Sequence, residues 1–153
     1  MDHAALIDAY LAGPKQLRDA IAGMTPAQID AAPVPGKWST RQIICHIADF
    51  EPVYCDRMKR VVAEEGPTMF GGDPDLFAAK LAYAERDVEE ELALIESVRR
   101  HVARILRTLP AESFQRTGNH AVHGPMTLEK LLATITEHIP HHLRFIEEKR
   151  RLL

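Results

Sequence analysis

Three histidines lie within five residues of one another in the segment 138–142: His138, His141 and His142. Residues three or four apart on an α-helix share a face, so His138 can converge on one point with either of the other two. With about 100° of rotation per residue, His142 lies roughly 40° and His138 roughly 80° from the apolar direction of this segment. His141 lies roughly 140° from that direction. The helical phase therefore favours His138 and His142 as the inward pair.

Two inward imidazoles side by side indicate metal binding more than simple packing. Neutral histidine is the commonest metal ligand in proteins, and each buried ring nitrogen needs a partner. The alternative is that both are ordinary residues at the edge of a helix, bonded to carboxylates or water. The spacing HxxxH does not decide between these interpretations, so a metal site requires a third ligand elsewhere in the chain.

His46 is the candidate for this third ligand. It lies on the second predicted helical segment, roughly 80° from the centre of its apolar face and next to Phe50 and Val53. The alternative is a boundary histidine with its own hydrogen bonds. Three protein ligands leave one coordination position open, which is typical of catalytic rather than structural sites. A set of three histidines suits Zn²⁺, and nickel or iron would also bind.

Four long helical segments are predicted to position these residues. Ser39 and Gln42 form a capping box at the start of the second, and Thr25-Pro26 opens a short turn-like helix before it. We expect either a kink or a restart of the helix at Gly13-Pro14, and a bend at Pro52. Asp87 predicts a break near 84–88 within the third segment. The four segments are 2–23, 39–65, 75–108 and 127–150.

The rest of the pattern predicts an all-α fold, an up-down four-helix bundle formed by a single domain, residues 1–153. No segment shows the alternation of a β-strand. Residues 110–126 are predicted to be a long polar loop that covers the open side of the metal site. Cys45 is predicted to be an apolar filler, because it points about 100° away from His46.

Composition excludes several other classes of protein. The chain has 153 residues and a net charge of -3, which gives no reason to expect nucleic acid or an anionic membrane as a partner. No apolar run approaches the roughly 20 residues of a membrane span. The polar start, Met1-Asp2-His3, does not resemble a signal peptide. Cys45 and Cys55 are too far apart on one helix to form a disulfide, which suits a reducing cytoplasm.

Three segments of the sequence, in this order, resemble the DinB/YfiT-like superfamily: GKWSTRQIICHIAD at 36–49, GPMTL at 124–128, and HxxHH at 138–142. The resemblance covers nearly the whole chain. It implies a four-helix bundle that holds a divalent metal, usually zinc or nickel, on three histidines. One comes from the second helix and two from an HxxxH on the last, which by position are His46, His138 and His142. It also implies a homodimer. Pro140 departs from the pattern, because relatives often carry another residue there.

The resemblance implies three candidate functions. Members of the family include S-transferases and isomerases that use bacillithiol, mycothiol or glutathione. The leading hypothesis is therefore a metal-dependent S-transferase that acts on a small electrophile with a low-molecular-weight thiol. A metal-dependent hydrolase of the YfiT-like type would use the same site with water. The third hypothesis is a non-catalytic, metal-binding dimeric bundle.

Three further residues are candidates for a role near the metal. Asp49 lies one turn from His46 and could orient a ligand imidazole, although a solvated or capping carboxylate is the simpler interpretation. His120 could reach the mouth of the site, since relatives have a histidine near that position, or could lie on the surface. His141 could relay protons at the rim, or simply be exposed. The sequence offers no obvious general acid or base.

Overall fold

The computed structural model describes residues 2–153; residue 1, where the predicted domain begins, lies outside the described residues. The four-helix bundle of the predicted all-α class is confirmed, with two short helices in its connections. In chain order the helices are α1 (His3–Ile21), α2 (Pro26–Asp30), α3 (Thr40–Ala63), α4 (Pro74–Lys80), α5 (Val88–Leu106) and α6 (Leu128–Arg151). Short 3₁₀ helices cover Tyr83–Glu85 and Ala111–Gln115.

The local signals in the sequence mark the starts of these helices. Ser39 accepts a hydrogen bond from the Gln42 amide, and the Gln42 side chain accepts one from the Ser39 amide, which completes the predicted capping box. Thr25 and Gln28 form a second capping box at α2. The predicted third segment is divided as expected, because α4 ends before residue 84 and Asp87 caps α5. α1 continues through Pro14 without the restart that was one of the two expectations there.

The long helices do not simply alternate in direction. α1 and α6 are parallel: His3 and Glu129 pair near their first residues at 2.7 Å, and Arg150 donates to the Ala20 carbonyl near their last residues. α3 and α5 are parallel to each other as well, because their first turns share one core cluster and their last turns another. Residues 64–87, which join α3 to α5, therefore return along the outside of the bundle.

A small three-stranded sheet closes one end of the bundle. Its strands are β1 (Thr68–Met69), β2 (Thr117–His120) and β3 (Gly124–Thr127), with β2 in the middle, parallel to β1 and antiparallel to β3. The prediction that the chain contains no strand, and that 110–126 is a loop, was wrong. Strands of two to four residues are too short to show alternation. Gly118 lies against α3, where an added Cβ would be 2.9 Å from Val61.

An ion pair crosses the core between the two apolar clusters. Arg99 on α5 and Glu51 on α3 have no exposed side-chain surface, and the Arg99 Nε donates to Glu51 over 2.9 Å. Arg99 Nη1 also donates to the Tyr10 carbonyl over 2.7 Å. That carbonyl lacks its usual helical donor because Pro14, four residues later, has no amide hydrogen. Gly13 makes room for the guanidinium, since a Cβ there would be 2.5 Å from Nη1.

Hydropathy gives no indication of a membrane span. Within residues 2–153, every helix is too short or too polar to cross a bilayer.

Candidate metal centre

The two long antiparallel helices α3 and α6 bring three imidazoles together. His46 lies on the second turn of α3, and His138 and His142 lie one turn apart on α6. Nε2 of His138 is 2.9 Å from Nε2 of His46 and 3.2 Å from Nε2 of His142. One ring nitrogen from each residue falls within 4.8 Å of the others. We call these three residues the histidine cluster.

The nitrogen positions of the histidine cluster fit a divalent metal. A tetrahedral ion with bonds of about 2.0–2.1 Å to histidine nitrogen separates its ligand atoms by about 3.3 Å. The two Nε2 separations of 2.9 and 3.2 Å are close to that value. A neutral imidazole has a single N–H group, so three converging Nε2 atoms cannot all be satisfied by one another. A shared cation accepts a lone pair from each, and three such residues could therefore hold a metal.

Burial keeps the histidine cluster in the neutral form that binds metal. Burial, together with the neighbouring His142 and His46, lowers the pKa of His138 to about 2. Burial likewise lowers the pKa of His142 to about 3 and that of His46 to about 4, where Asp49 opposes the effect. Because metals bind the deprotonated imidazole, no proton has to be displaced near neutral pH.

These shifts predict acid instability of the metal-free protein. A histidine whose folded pKa lies below its unfolded value stabilises the fold above about pH 6.5, and that stability is lost as the pH falls towards the folded pKa. Below about pH 6, each such histidine lowers the free energy of unfolding by about 1.4 kcal/mol for every unit by which the pH falls. Urea unfolding of the metal-free protein between pH 7.5 and pH 5 measures the total.

In the His138→Gln variant the free energy of unfolding should fall less steeply with decreasing pH than in the wild type. The difference between the two slopes should be about 1.4 kcal/mol per pH unit. His101→Gln provides the matched control, because His101 is exposed on α5. Equal slopes for His138→Gln and the wild type would show that His138 titrates normally in the folded chain.

His141 lies outside the histidine cluster. It is exposed, and its Nδ1 is 3.0 Å from Arg144 Nη2, one turn further along α6. Its ring is edge-on to that of His142, with 5.0 Å between the centroids. α6 continues through Pro140, so the proline does not rotate His141 into the position of its neighbour.

Asp49 has partners other than the three imidazoles of the histidine cluster. Its carboxylate accepts a hydrogen bond from the Tyr83 hydroxyl over 2.7 Å and pairs with Arg86 over 2.8 Å. Arg86 also pairs with Glu91 at the start of α5. Asp49 therefore ties α3 to the connection before α5. Nδ1 of His46 and Nδ1 of His138 are both buried without a hydrogen-bond partner among the described residues.

His120 has a structural role in the sheet. It is buried at the end of β2, and its Nδ1 accepts hydrogen bonds from the backbone amides of Val122 (3.0 Å) and His123 (3.1 Å). Those bonds stabilise the turn between β2 and β3. His120 is not part of the histidine cluster, nor of the wall of the cavity beside it.

A cavity of about 220 Å³ opens directly beside His142, and we call it the His142 cavity. Two aromatic side chains form part of its wall, and the Trp38 ring also packs against His46 with 5.1 Å between centroids. Two lysines reach it, and neither was identified from the sequence. Lys149 lies seven residues after His142, on the same face of α6, and that spacing could have identified it as a neighbour of His142. The lining residues are Gly36, Lys37, Trp38, Ile43, Asp75, His142, Phe145 and Lys149.

The returning connection, rather than residues 110–126, flanks this site. Phe77 of α4 packs on Phe50, one turn after His46, with 5.3 Å between ring centroids. A Cβ on Gly72 would be 3.3 Å from the same ring, and Asp75 lines the His142 cavity. Residues 110–126 were predicted to cover the open side of the site, and the connection 64–87 lies there instead. The sequence does not show that α3 and α5 are parallel, so it does not show where the connection between them runs.

Comparison with known proteins places the chain in a family. Residues 9–146 match the DinB superfamily. "Putative metal-dependent hydrolase YfiT" of Bacillus subtilis is 30% identical over 139 residues, which is 90% of this chain and 78% of the relative. A relative from Oceanobacillus iheyensis, also named "Putative metal-dependent hydrolase", is 29% identical over 87% of this chain and 77% of its own length.

A solved structure shares the architecture. It is described as "YfiT from Bacillus subtilis is a probable metal-dependent hydrolase with an unusual four-helix bundle topology". The TM-score is 0.91 at 28% identity, and the match covers 97% of this chain and 86% of that one.

Proposed function

The chain belongs to the DinB superfamily, and from that premise we propose that it is a metal-dependent enzyme that transfers a low-molecular-weight thiol to a small electrophile. The histidine cluster would hold the metal, with zinc or nickel the best candidates for an all-nitrogen site. The observation that carries the proposal is the position of three neutral imidazoles beside a cavity that contains two lysines. When bound, the metal would act as a Lewis acid that lowers the pKa of a thiol or water in its open position.

The lining of the cavity favours a thiol over water as the nucleophile. An unperturbed thiol has a pKa of about 8.5 and bulk water one of about 15.7, so a thiol needs far less help to ionise. Asp75 is the only carboxylate in the lining, and it is exposed on the first turn of α4. The lining of the cavity therefore includes no buried carboxylate that could take a proton from water.

The residues that line the cavity would bind and orient the substrate. Trp38 and Phe145 offer apolar surface beside His142, which excludes water from one side of the reacting groups. Lys37 and Lys149 make the cavity electropositive, which favours a thiolate or another anion.

Hydrolysis is the second candidate, and the names of the relatives favour it. Both the Bacillus subtilis and the Oceanobacillus iheyensis proteins are named as metal-dependent hydrolases. In this chain Asp75 would then be the residue to accept a proton from water.

Turnover of a model electrophile separates the two candidates. Bacillithiol, mycothiol, glutathione and cysteine are each supplied with the electrophile, before and after removal of metal by a chelator. We expect at least one thiol to be consumed, and we expect chelation to abolish that reaction and added metal to restore it. Turnover that needs metal but no thiol would establish hydrolysis instead. Absence of any metal-dependent turnover would leave the non-catalytic bundle.

Two further parts of the proposal concern assembly and location. We propose a homodimer, as the family resemblance implies, that acts on a small molecule rather than on nucleic acid or a membrane. We also propose a cytoplasmic location: Cys45 and Cys55 are both free thiols, and free thiols persist in reducing compartments. Size measurement in solution tests the first of these.

A further inference from the structure

Lys149 is a buried cation without an anionic partner. Only 2% of its surface is exposed, although lysine is almost never fully buried unless it is paired. Its Nζ donates one hydrogen bond, to the Phe145 carbonyl over 3.2 Å. No carboxylate among residues 2–153 forms an ion pair with it, and the ammonium group has three donors in total. The centroid of the Phe145 ring is also 6.0 Å from Nζ, and two of the three donors have no hydrogen-bond acceptor among the described residues.

An unpaired ammonium group in such a position is costly for the fold. Burial lowers the pKa of Lys149, Glu148 opposes that effect, and Lys37 adds to it. Lys37 therefore lies close enough to repel it, so that two like charges share one region of the surface. A bound anion would compensate both charges, because no carboxylate among residues 2–153 forms an ion pair with either lysine.

Lys149 lies beside a cavity rather than inside a fully packed core. Lys149, Lys37 and His142 all line the His142 cavity. The Phe145 ring is near both groups, since its centroid is 6.0 Å from the Lys149 Nζ and 6.2 Å from the centroid of the His142 ring. A small molecule that fills the cavity would thus contact both lysines at one end and approach the metal ligands at the other.

We propose that the His142 cavity is a carboxylate-binding subsite, in which Lys149 and Lys37 hold the carboxylate of a small thiol and direct its sulfur towards the histidine cluster. This deepens the proposed function and rests on it for the identity of the sulfur nucleophile. The subsite itself depends only on the lysines and the cavity. Asp75, which lines the same cavity, is exposed and forms no ion pair with either lysine.

Binding to the metal-free protein tests the subsite without the contribution of a metal–sulfur bond. The probes are 3-mercaptopropionate, which carries a carboxylate, and the uncharged 1-thioglycerol, measured by titration calorimetry after chelation. We expect the carboxylate thiol to bind at least about ten-fold more tightly than the neutral one, as a charge-assisted hydrogen bond predicts. Equal affinities, or no binding of either probe, would overturn the proposal.

Variants of Lys149 identify the group responsible. Lys149→Met should reduce the affinity for 3-mercaptopropionate by about ten-fold or more, and Lys149→Arg should retain most of it. The matched control is Lys130→Met, because Lys130 is exposed near the start of the same helix. An unchanged affinity in Lys149→Met, or an equal loss in Lys130→Met, would also overturn the proposal.

Two further readouts keep this test independent of the proposed function. Lys149→Met removes an unpaired buried charge, so its thermal midpoint should equal or exceed that of the wild type, and its metal content should be unchanged. If Lys149→Met does not fold, Lys149→Gln replaces it in the same comparison. Selective carboxylate binding without any thiol turnover would retain the subsite and reject the transferase. Thiol turnover without selective carboxylate binding would retain the transferase and reject the subsite.

Discussion

Replacement of His138 by alanine will reduce the metal content of the protein from about one divalent ion per chain to nearly none. His138 is the central member of the histidine cluster, since its Nε2 is 2.9 Å from that of His46 and 3.2 Å from that of His142. Its loss leaves two nitrogens, which cannot form the three-ligand arrangement of a catalytic site. Elemental analysis of protein purified without a metal-affinity tag measures the effect.

His141→Ala is the matched control for this experiment. It removes an imidazole from the same turn of α6, but one that is exposed and paired with Arg144. The metal content of this variant should stay close to that of the wild type. A His138→Ala protein that retains its full metal content would contradict the assignment of the ligands.

Replacement of Arg99 by methionine will lower the free energy of unfolding by about 3–5 kcal/mol. Arg99 and Glu51 are both fully buried, and removal of one partner leaves the other charge without compensation. The carbonyls of Tyr10 and Ile135 lose their guanidinium donors as well. Urea unfolding near pH 7.5 measures the change.

Two variants show whether the buried pair causes that loss. Arg100→Met alters the next residue of α5, which is exposed, and should change stability by less than about 0.5 kcal/mol. The double variant Arg99→Met with Glu51→Gln should be more stable than Arg99→Met alone, because no unpaired charge remains. Arg99→Met with the same small effect as Arg100→Met would show that the pair contributes little to the fold.

Local chemistry and helical period account for what the sequence predicted correctly. The Ser39 and Gln42 side chains cap their own helix, so that the start of α3 is independent of distant contacts. The periodicity of α3 and α6 then determines which side chains face inward. Two helices that bury their apolar faces against each other necessarily bring inward residues such as His46 and His138 together.

What the sequence did not predict depends on contacts between distant segments. A charged residue on a helix ordinarily indicates a solvated face, yet Arg99 is buried because Gly13 gives it space and Pro14 frees a carbonyl for it. The direction of α5 relative to α3 depends on the path of residues 64–87. The lysines of the His142 cavity become apparent only when α6 packs beside the segment that carries Lys37.

The visible spectrum of the cobalt-substituted wild-type protein, recorded during addition of a thiol, tests the central proposal most directly. The histidine cluster could provide three ligands, which would leave one coordination position open. We predict that 3-mercaptopropionate changes the spectrum in a saturable manner, and that a His141→Ala protein responds in the same way. A spectrum that no thiol alters, in a protein that holds its full complement of cobalt, would contradict thiol transfer at this site.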